Sequence, residues 1–153
     1  MATFSLKTVQ CIPVELDIAW EFFSNPANLK SITPDNLGFQ ILSKHHGSSM
    51  YPGQIIEYKL KPVFGIPIYW MTEITHVKDK EYFVDEQRFG PYKLWHHQHH
   101  FAIIEGGVEM TDIVHYKIPF WFFGDIVNTL FVNVRLKKIF DFRYQTVKEK
   151  FRQ

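Results

Sequence analysis

The sequence has little cysteine and little net charge, and both shortages exclude classes of protein. Cys11 is the single cysteine among 153 residues, so no internal disulfide can form and a reducing compartment is expected. Seventeen basic residues stand against 16 acidic ones, and the formal net charge of +1 offers no field to attract a polyanion. Nucleic acid is therefore not expected as a partner.

Long apolar runs and familiar catalytic motifs are also absent. Asp125, Asn128 and Asn133 break the longest apolar candidate, residues 118–134, so no segment has the roughly 20 apolar residues that span a membrane. The N-terminus lacks the pattern of a secretory signal. The chain has no Gly-x-Ser-x-Gly nucleophile motif, phosphate-binding loop or dinucleotide fingerprint. We therefore expect a cytoplasmic protein without stable membrane insertion.

Aromatic residues are what the composition has in excess. Fifteen Phe, seven Tyr and four Trp make up 17% of the chain. Such side chains commonly line apolar ligand pockets, although a Phe-rich core explains the same excess. The length of 153 residues fits one domain, residues 1–153, that can bury a substantial core.

Alternating apolar and polar residues predict an α+β protein. An opening strand at residues 3–12 is followed by two short helices at 14–24 and 27–32, and a long amphipathic helix occupies 125–151. Six further strands are predicted at residues 39–43, 54–60, 68–77, 82–89, 93–105 and 108–118. About seven antiparallel strands leave one face to bury, and only the terminal helix is long enough to cover it.

A strand rich in histidine is the most informative part of the chain. Four of the eight histidines lie at positions 96, 97, 99 and 100. A tight turn at Gly106-Gly107, with Glu105 opposite Val108, would set the register of the last two strands. The inner pairs would then be Ile103 with Met110, Phe101 with Asp112, His99 with Val114, His97 with Tyr116 and Trp95 with Ile118.

The two faces of this hairpin differ in character. One face is mixed and is predicted to be solvated; it carries Leu94, His96, Gln98, His100 and Ala102 together with Lys117, His115, Ile113, Thr111 and Glu109. The other face places polar rings and a carboxylate in an aromatic wall. Strand alternation adds inward residues from two neighbouring strands. The predicted ligand-binding residues are Trp70, Asp85, Gln87, Trp95, His97, His99, Phe101, Asp112 and Tyr116.

The histidine pair allows more than one chemistry. His97 and His99 lie two apart on a strand and could chelate one ion, but only Asp112 lies close enough to be a third ligand. We therefore expect no metal and no other cofactor. Instead, Asp112 and the Tyr116 hydroxyl are expected to satisfy the imidazoles. A histidine acting as general base beside Asp112 or Asp85 is the catalytic alternative, and no catalytic residue is assigned.

Arg143 is the one charged residue on the apolar stripe of the terminal helix. An unpaired charge in that position would be costly. We expect Arg143 to pair with an interior acid such as Asp85 or to reach the surface.

Several motifs resemble those of the START-like (SRPBCC) superfamily. They are Ile12-Pro13-Val14-Glu15, Asn25-Pro26-Ala27-Asn28-Leu29, Ile32-Thr33-Pro34, Phe83-x-Asp85-x-Gln87-x-x-Gly90-Pro91-Tyr92, Trp95-x-His97-x-His99-x-Phe101 and Asp112-x-x-x-Tyr116-x-x-Pro119. Within the superfamily they are similar to bacterial ligand-binding proteins labelled cell-division-inhibitor-like. The resemblance runs nearly end to end. It implies a helix-grip fold, in which a curved antiparallel sheet wraps the long terminal helix around a deep apolar cavity.

One departure from that pattern concerns the mouth of the cavity. After Pro119 the family pattern has a Gly-containing turn, whereas this chain has Phe120-Trp121-Phe122-Phe123 before Gly124. The mouth is therefore expected to be more apolar or partly plugged.

Three functions are compatible with these features. The leading hypothesis is binding of an apolar small molecule, such as a lipid, polyketide or other aromatic metabolite, between sheet and terminal helix. The first alternative is a cofactor-independent lyase or cyclase that uses the His/Asp/Tyr group. The second is a protein-interaction module that docks through the aromatic segment 120–123. The superfamily contains both binders and enzymes, so the fold alone does not decide among them.

Overall fold

The computed structural model describes residues 3–44, 49–63, 65–119 and 124–152. Within these ranges, seven strands form one antiparallel sheet in the order β1-β7-β6-β5-β4-β3-β2. Their bounds are β1 Phe4–Ile12, β2 Gln40–Ile41, β3 Gln54–Val63, β4 Ile66–Lys78, β5 Tyr82–Phe89, β6 Leu94–Ile104 and β7 Gly107–Lys117. Each predicted strand is confirmed, and β2 is shorter than expected.

The helices occur where the apolar periodicity predicts them, with two differences in type. Helix α1 spans Leu16–Phe23, and the second short helix, Pro26–Ile32, is a 3-10 helix, as is Asp35–Leu37. The terminal helix consists of α2 Gly124–Val127, a π-helical turn Asn128–Val132 and α3 Asn133–Lys150. None of the helices in the described ranges is both long and apolar enough to cross a bilayer.

Two apolar clusters lie on the inner face of the sheet. The first, here called the filled half, includes Ile12, Trp20, Phe22, Phe23, Phe83, Phe101, Met110 and Val147. The second, here called the aromatic half, comprises the buried residues Val114, Tyr116, Ile118, Leu136 and Phe140 and the partly buried residues Phe4, Leu6, Tyr92, Trp95 and Val132. Helix α1 contributes to the first cluster and α3 to both. The predicted inner face of the hairpin is therefore confirmed.

The register of the β6–β7 hairpin differs from the prediction by two residues. Ile104 pairs with Gly107, so Glu105 and Gly106 form the turn. The observed inner pairs are Ile103 with Val108, Phe101 with Met110, His99 with Asp112, His97 with Val114 and Trp95 with Tyr116. Because strand side chains alternate with period two, a two-residue shift changes the partners and leaves the faces unchanged.

Gly107 explains why the predicted register of the β6–β7 hairpin differs from the observed one by two residues. A Cβ atom at this position would overlap the carbonyl oxygen of Ile12 in the neighbouring strand β1. Gly106, with a φ of 81°, is the residue that the turn itself requires. The second glycine therefore allows the close approach of β1 and does not mark the centre of the turn.

Candidate functional site

Strands β5, β6 and β7 bring four titratable side chains together on the inner face. Asp85 pairs with His97 across β5 and β6, and Asp112 pairs with His99 across β6 and β7. The exposed fractions of these side chains are 15% for Asp85, 7% for His97, 6% for His99 and 8% for Asp112. We call these four residues, together with Arg143 of α3, the polar seam.

The polar seam separates the two apolar clusters. On one side, the ring of His99 stacks on Phe83 of the filled half, with centroids 4.1 Å apart. On the other side, His97 contacts Trp95 and Phe140 of the aromatic half at centroid distances of 6.1 and 5.7 Å. The predicted placement of polar rings in an aromatic wall is thus confirmed for His97 and His99.

Each imidazole of the seam lies between the two carboxylates. His97 Nε2 lies 2.9 Å from Asp112 Oδ1, and His97 Nδ1 lies 3.6 Å from Asp85 Oδ2. His99 Nε2 lies 2.7 Å from Asp85 Oδ2. His99 Nδ1 lies 2.9 Å from Asp112 Oδ1, but this contact lacks the alignment of a hydrogen bond. The two rings are 3.8 Å apart between centroids.

Arg143 pairs with an interior acid, as the sequence predicts. Its Nη2 atom lies 3.8 Å from Asp112 Oδ1, so the ion pair is with Asp112 rather than with Asp85. The guanidinium also lies over the ring of Phe23, 5.5 Å from the centroid. Arg143 therefore connects α3 to the polar seam and to the filled half.

Burial and the neighbouring charges set the protonation of the two acids. Burial by itself would raise the pKa of Asp112, but Arg143 and the two imidazoles hold it well below its usual range. Burial likewise opposes ionisation of Asp85, yet His97 and His99 lower its pKa. Both carboxylates are therefore ionised at neutral pH.

The two histidines respond in opposite directions. Burial disfavours the charged form of His99, but Asp112 and Asp85 outweigh burial and raise its pKa. Burial, followed by the charge of His99, lowers the pKa of His97. Arg143 is cationic and the raised pKa of His99 favours its charged form, so both carboxylates lie beside compensating positive charge.

Trp70 lies at the centre of a set of aromatic rings beside the aromatic half, here called the aromatic wall and made up of Tyr58, Trp70, Tyr92, Trp95 and Tyr116. Its ring centroid is 5.4 Å from that of Trp95 and 5.5 Å from that of Tyr92, and it stacks on Tyr58 at 5.9 Å. Tyr116 completes the wall, 5.9 Å from Tyr92. Trp70 Nε1 is buried and has no hydrogen-bond partner within the described part of the chain. An unsatisfied buried donor of this kind costs about 1–3 kcal/mol.

Gln87 has a different position from the one expected of a binding residue. Its Nε2 donates to the Tyr92 carbonyl at 2.7 Å, and its Oε1 accepts from the Tyr92 N–H at 3.2 Å. A Cβ atom at Gly90 would overlap this amide. Gln87 therefore fixes the turn at 90–92, and its amide is not part of the polar seam.

Phe101 is separated from the aromatic half. Its ring packs against Trp20 at 5.3 Å and Phe23 at 5.8 Å in the filled half. Tyr92 packs against the aromatic half, whereas Tyr58 packs against the filled half and stacks on Trp70; neither was predicted as a site residue. The Gly90-Pro91-Tyr92 motif was the signal for Tyr92, whereas no signal marked Tyr58.

A surface groove of about 460 Å³ lies at the β1 edge of the sheet. It is lined by Gln10, Cys11, Ile12, Pro13, Ile104, Glu105, Gly106, Tyr144, Val147, Lys148 and Arg152. None of the nine predicted binding residues lines this groove. The predicted apolar mouth at 120–123 lies outside the described residues.

Several solved structures share this architecture over nearly the whole chain. The protein TTHA0849 from Thermus thermophilus matches with a TM-score of 0.72 and 13% identity, covering 96% of each chain. The major latex-like protein 151 from Panax ginseng matches with a TM-score of 0.70 and 14% identity, covering 99% of each chain. The chain has the helix-grip fold that the sequence resemblance implied.

A third solved structure agrees with this assignment of the fold, whereas the sequence comparisons find no relative. Protein Ms6760 from Mycobacterium smegmatis matches with a TM-score of 0.68 and 13% identity; the match covers 95% of the present chain and 88% of Ms6760. No family model and no curated protein matches the sequence. At these identities the likeness establishes the fold, and the function has to be argued from the site.

Proposed function

We propose that the protein binds an apolar small molecule, such as a lipid, polyketide or other aromatic metabolite, in the aromatic half between the sheet and the terminal helix. The observation that carries this proposal is the buried indole N–H of Trp70, which has no partner among the described residues. A ligand could pack against the surrounding aromatic rings and accept a hydrogen bond from this N–H through an oxygen atom.

Two rings of the aromatic half that remain partly accessible support the proposal. Phe83 and Phe101 in the filled half are only 2% and 6% exposed. Tyr92 and Trp95 pack against the aromatic half and are only partly buried. Large inward rings that keep accessible surface are typical of a wall against which a ligand packs.

The polar seam supplies a place for the polar end of the ligand. It adjoins the aromatic wall through the contact between His97 and Trp95. Asp85 is the most accessible member of the seam, with 15% of its side chain exposed. A few convergent polar groups beside an apolar wall are the usual means of orienting an apolar ligand. The site is proposed to act in the cytoplasm, since the lone Cys11 is free.

An environment-sensitive fatty-acid probe tests the proposal. Its fluorescence is expected to saturate near one equivalent, and Trp70→Phe, which keeps a ring and removes the N–H, should weaken binding about 3- to 10-fold. The matched control is Tyr69→Phe, which removes a hydroxyl that donates to Glu57 on the next strand. A response that does not saturate, or equal weakening in both variants, would contradict binding at this site.

A cofactor-independent lyase or cyclase is the second candidate. The observation in its favour is the hydrogen bond of His97 to Asp112, which holds one ring nitrogen and leaves the other available as a base. Incubation of the purified protein with a ligand identified by native mass spectrometry distinguishes the two functions. Conversion that disappears in His97→Gln supports catalysis, and a ligand recovered unchanged supports binding alone.

A further inference from the structure

The sequence analysis identified two neighbouring side chains that could bind one metal ion, His97 and His99. The pairing of β5 with β6 adds a third, because Asp85 lies directly opposite His97. Asp85 Oδ2 is 2.7 Å from His99 Nε2 and 3.6 Å from His97 Nδ1. One ligand atom from each residue lies within 4.8 Å of the others. The expectation that only two ligands are well placed, apart from Asp112, is therefore corrected.

Asp112 lies on the other side of the two rings and orients one of them. The hydrogen bond between His97 Nε2 and Asp112 Oδ1, 2.9 Å long, leaves a lone pair on His97 Nδ1. That lone pair faces Asp85 Oδ2, so two acceptors oppose each other unless a cation lies between them. A carboxylate behind a ligating histidine is the usual arrangement around metal-binding imidazoles.

We propose that Asp85, His97 and His99 bind a divalent transition-metal ion of the zinc class, with Asp112 as the positioning residue. Two imidazole nitrogens and one carboxylate oxygen suit zinc and its first-row neighbours, whereas calcium and magnesium take oxygen ligands. Metal binding requires an unprotonated ligating nitrogen on each histidine, so any proton on that nitrogen is displaced. Three protein ligands leave a coordination position for an oxygen of water or of a bound molecule.

Cobalt titration of tag-free protein tests the site directly. After dialysis against a chelator, the wild-type protein should bind one equivalent of Co²⁺ with visible absorption bands, and one equivalent of Zn²⁺ should abolish them. The absence of a saturable band in the wild-type protein would overturn the proposal. This arm requires no variant.

Asp85→Asn removes the charged ligand and preserves the shape of the side chain. The affinity for Zn²⁺ should fall by at least about 10-fold. The matched control is Glu86→Gln on the outer face, where Glu86 Oε1 lies 2.7 Å from His96 Nδ1 in a second histidine–carboxylate pair. Unchanged affinity in Asp85→Asn, or an equal loss in Glu86→Gln, would overturn the assignment.

Two readouts keep this inference separate from folding and from ligand binding. Near-UV circular dichroism shows whether Asp85→Asn is folded, and if it is not, the wild-type cobalt spectrum decides. The fatty-acid probe is titrated into chelator-treated protein. Saturable probe binding without cobalt bands overturns the metal site alone, and cobalt bands without probe binding support the metal site and contradict the proposed function.

Discussion

The filled half and the aromatic half share one sheet face but are closed in different ways. In the filled half, Trp20 of α1 packs edge-on against Phe83 and Phe101, at 6.0 and 5.3 Å. In the aromatic half, α3 contributes Leu136 and Phe140, and among the described residues none from α1 is part of the cluster. The comparison indicates that α1 completes the core at one end of the sheet and that α3 covers the other end.

The polar seam gives this division a physical cause. Ionised carboxylates can be buried among apolar side chains only when they are paired, because an unpaired buried charge carries a large desolvation cost. A row of such groups across the sheet therefore prevents the two apolar clusters from merging. The seam both satisfies its own charges and limits how far the filled half extends.

The largest expected effect is a difference in protein stability between variants of the filled half and of the aromatic half. Phe101→Ala should reduce the free energy of unfolding by about 3–5 kcal/mol, because its ring is fully packed. Trp95→Ala should cost less, about 1–3 kcal/mol, because part of its ring is already accessible. Urea unfolding measures both variants, and the fatty-acid probe should be affected more by Trp95→Ala. Equal destabilisation and equal probe binding would remove the distinction.

A smaller effect is expected at the boundary between the halves. Asp112→Asn removes the charge that His97, His99 and Arg143 share, so the free energy of unfolding should fall by about 3 kcal/mol. Thr111→Ala, one residue earlier on the outer face, should stay within about 0.5 kcal/mol. Thermal and urea unfolding of the two variants provide the measurement. A similar loss of unfolding free energy at both positions would mean that the polar seam contributes no more to stability than the outer face does.

The smallest effect is a pH dependence in the metal-free protein. Because the pKa of His99 is raised in the fold, its contribution to stability is complete below the unfolded pKa, about 6.5, and is lost as pH rises through the folded value. The pKa of His97 is lowered, so its contribution is present above about 6.5 and lost as pH falls through the folded value.

Two variants measure this difference in sign. The destabilisation by His99→Gln should shrink as pH rises, by about 1.4 kcal/mol for each unit by which its pKa is raised. The destabilisation by His97→Gln should shrink as pH falls. Urea unfolding across the neutral range provides the data. Parallel profiles for the two variants would show that the histidines are equivalent and that the seam does not separate their roles.

Local patterns in the sequence were sufficient for the elements and the faces of the strands. Alternation predicted that His97, His99 and Asp112 point inward, because period two survives errors in register. The pairing of Asp112 with His99 was not predictable, since a glycine required by β1 looked like part of a turn. The placement of Asp85 beside both histidines depends on the pairing of β5 with β6, which no local pattern specifies.

The clamp formed by Gln87 on the turn at 90–92 has a consequence for engineering this fold. Because one amide holds both the N–H and the carbonyl of Tyr92, the backbone there does not depend on which ring position 92 carries. Gly90 in turn leaves the space that this amide occupies. Residues 87 and 90 thus hold the backbone in place, so the ring at position 92 can be exchanged to test its part in the proposed ligand binding.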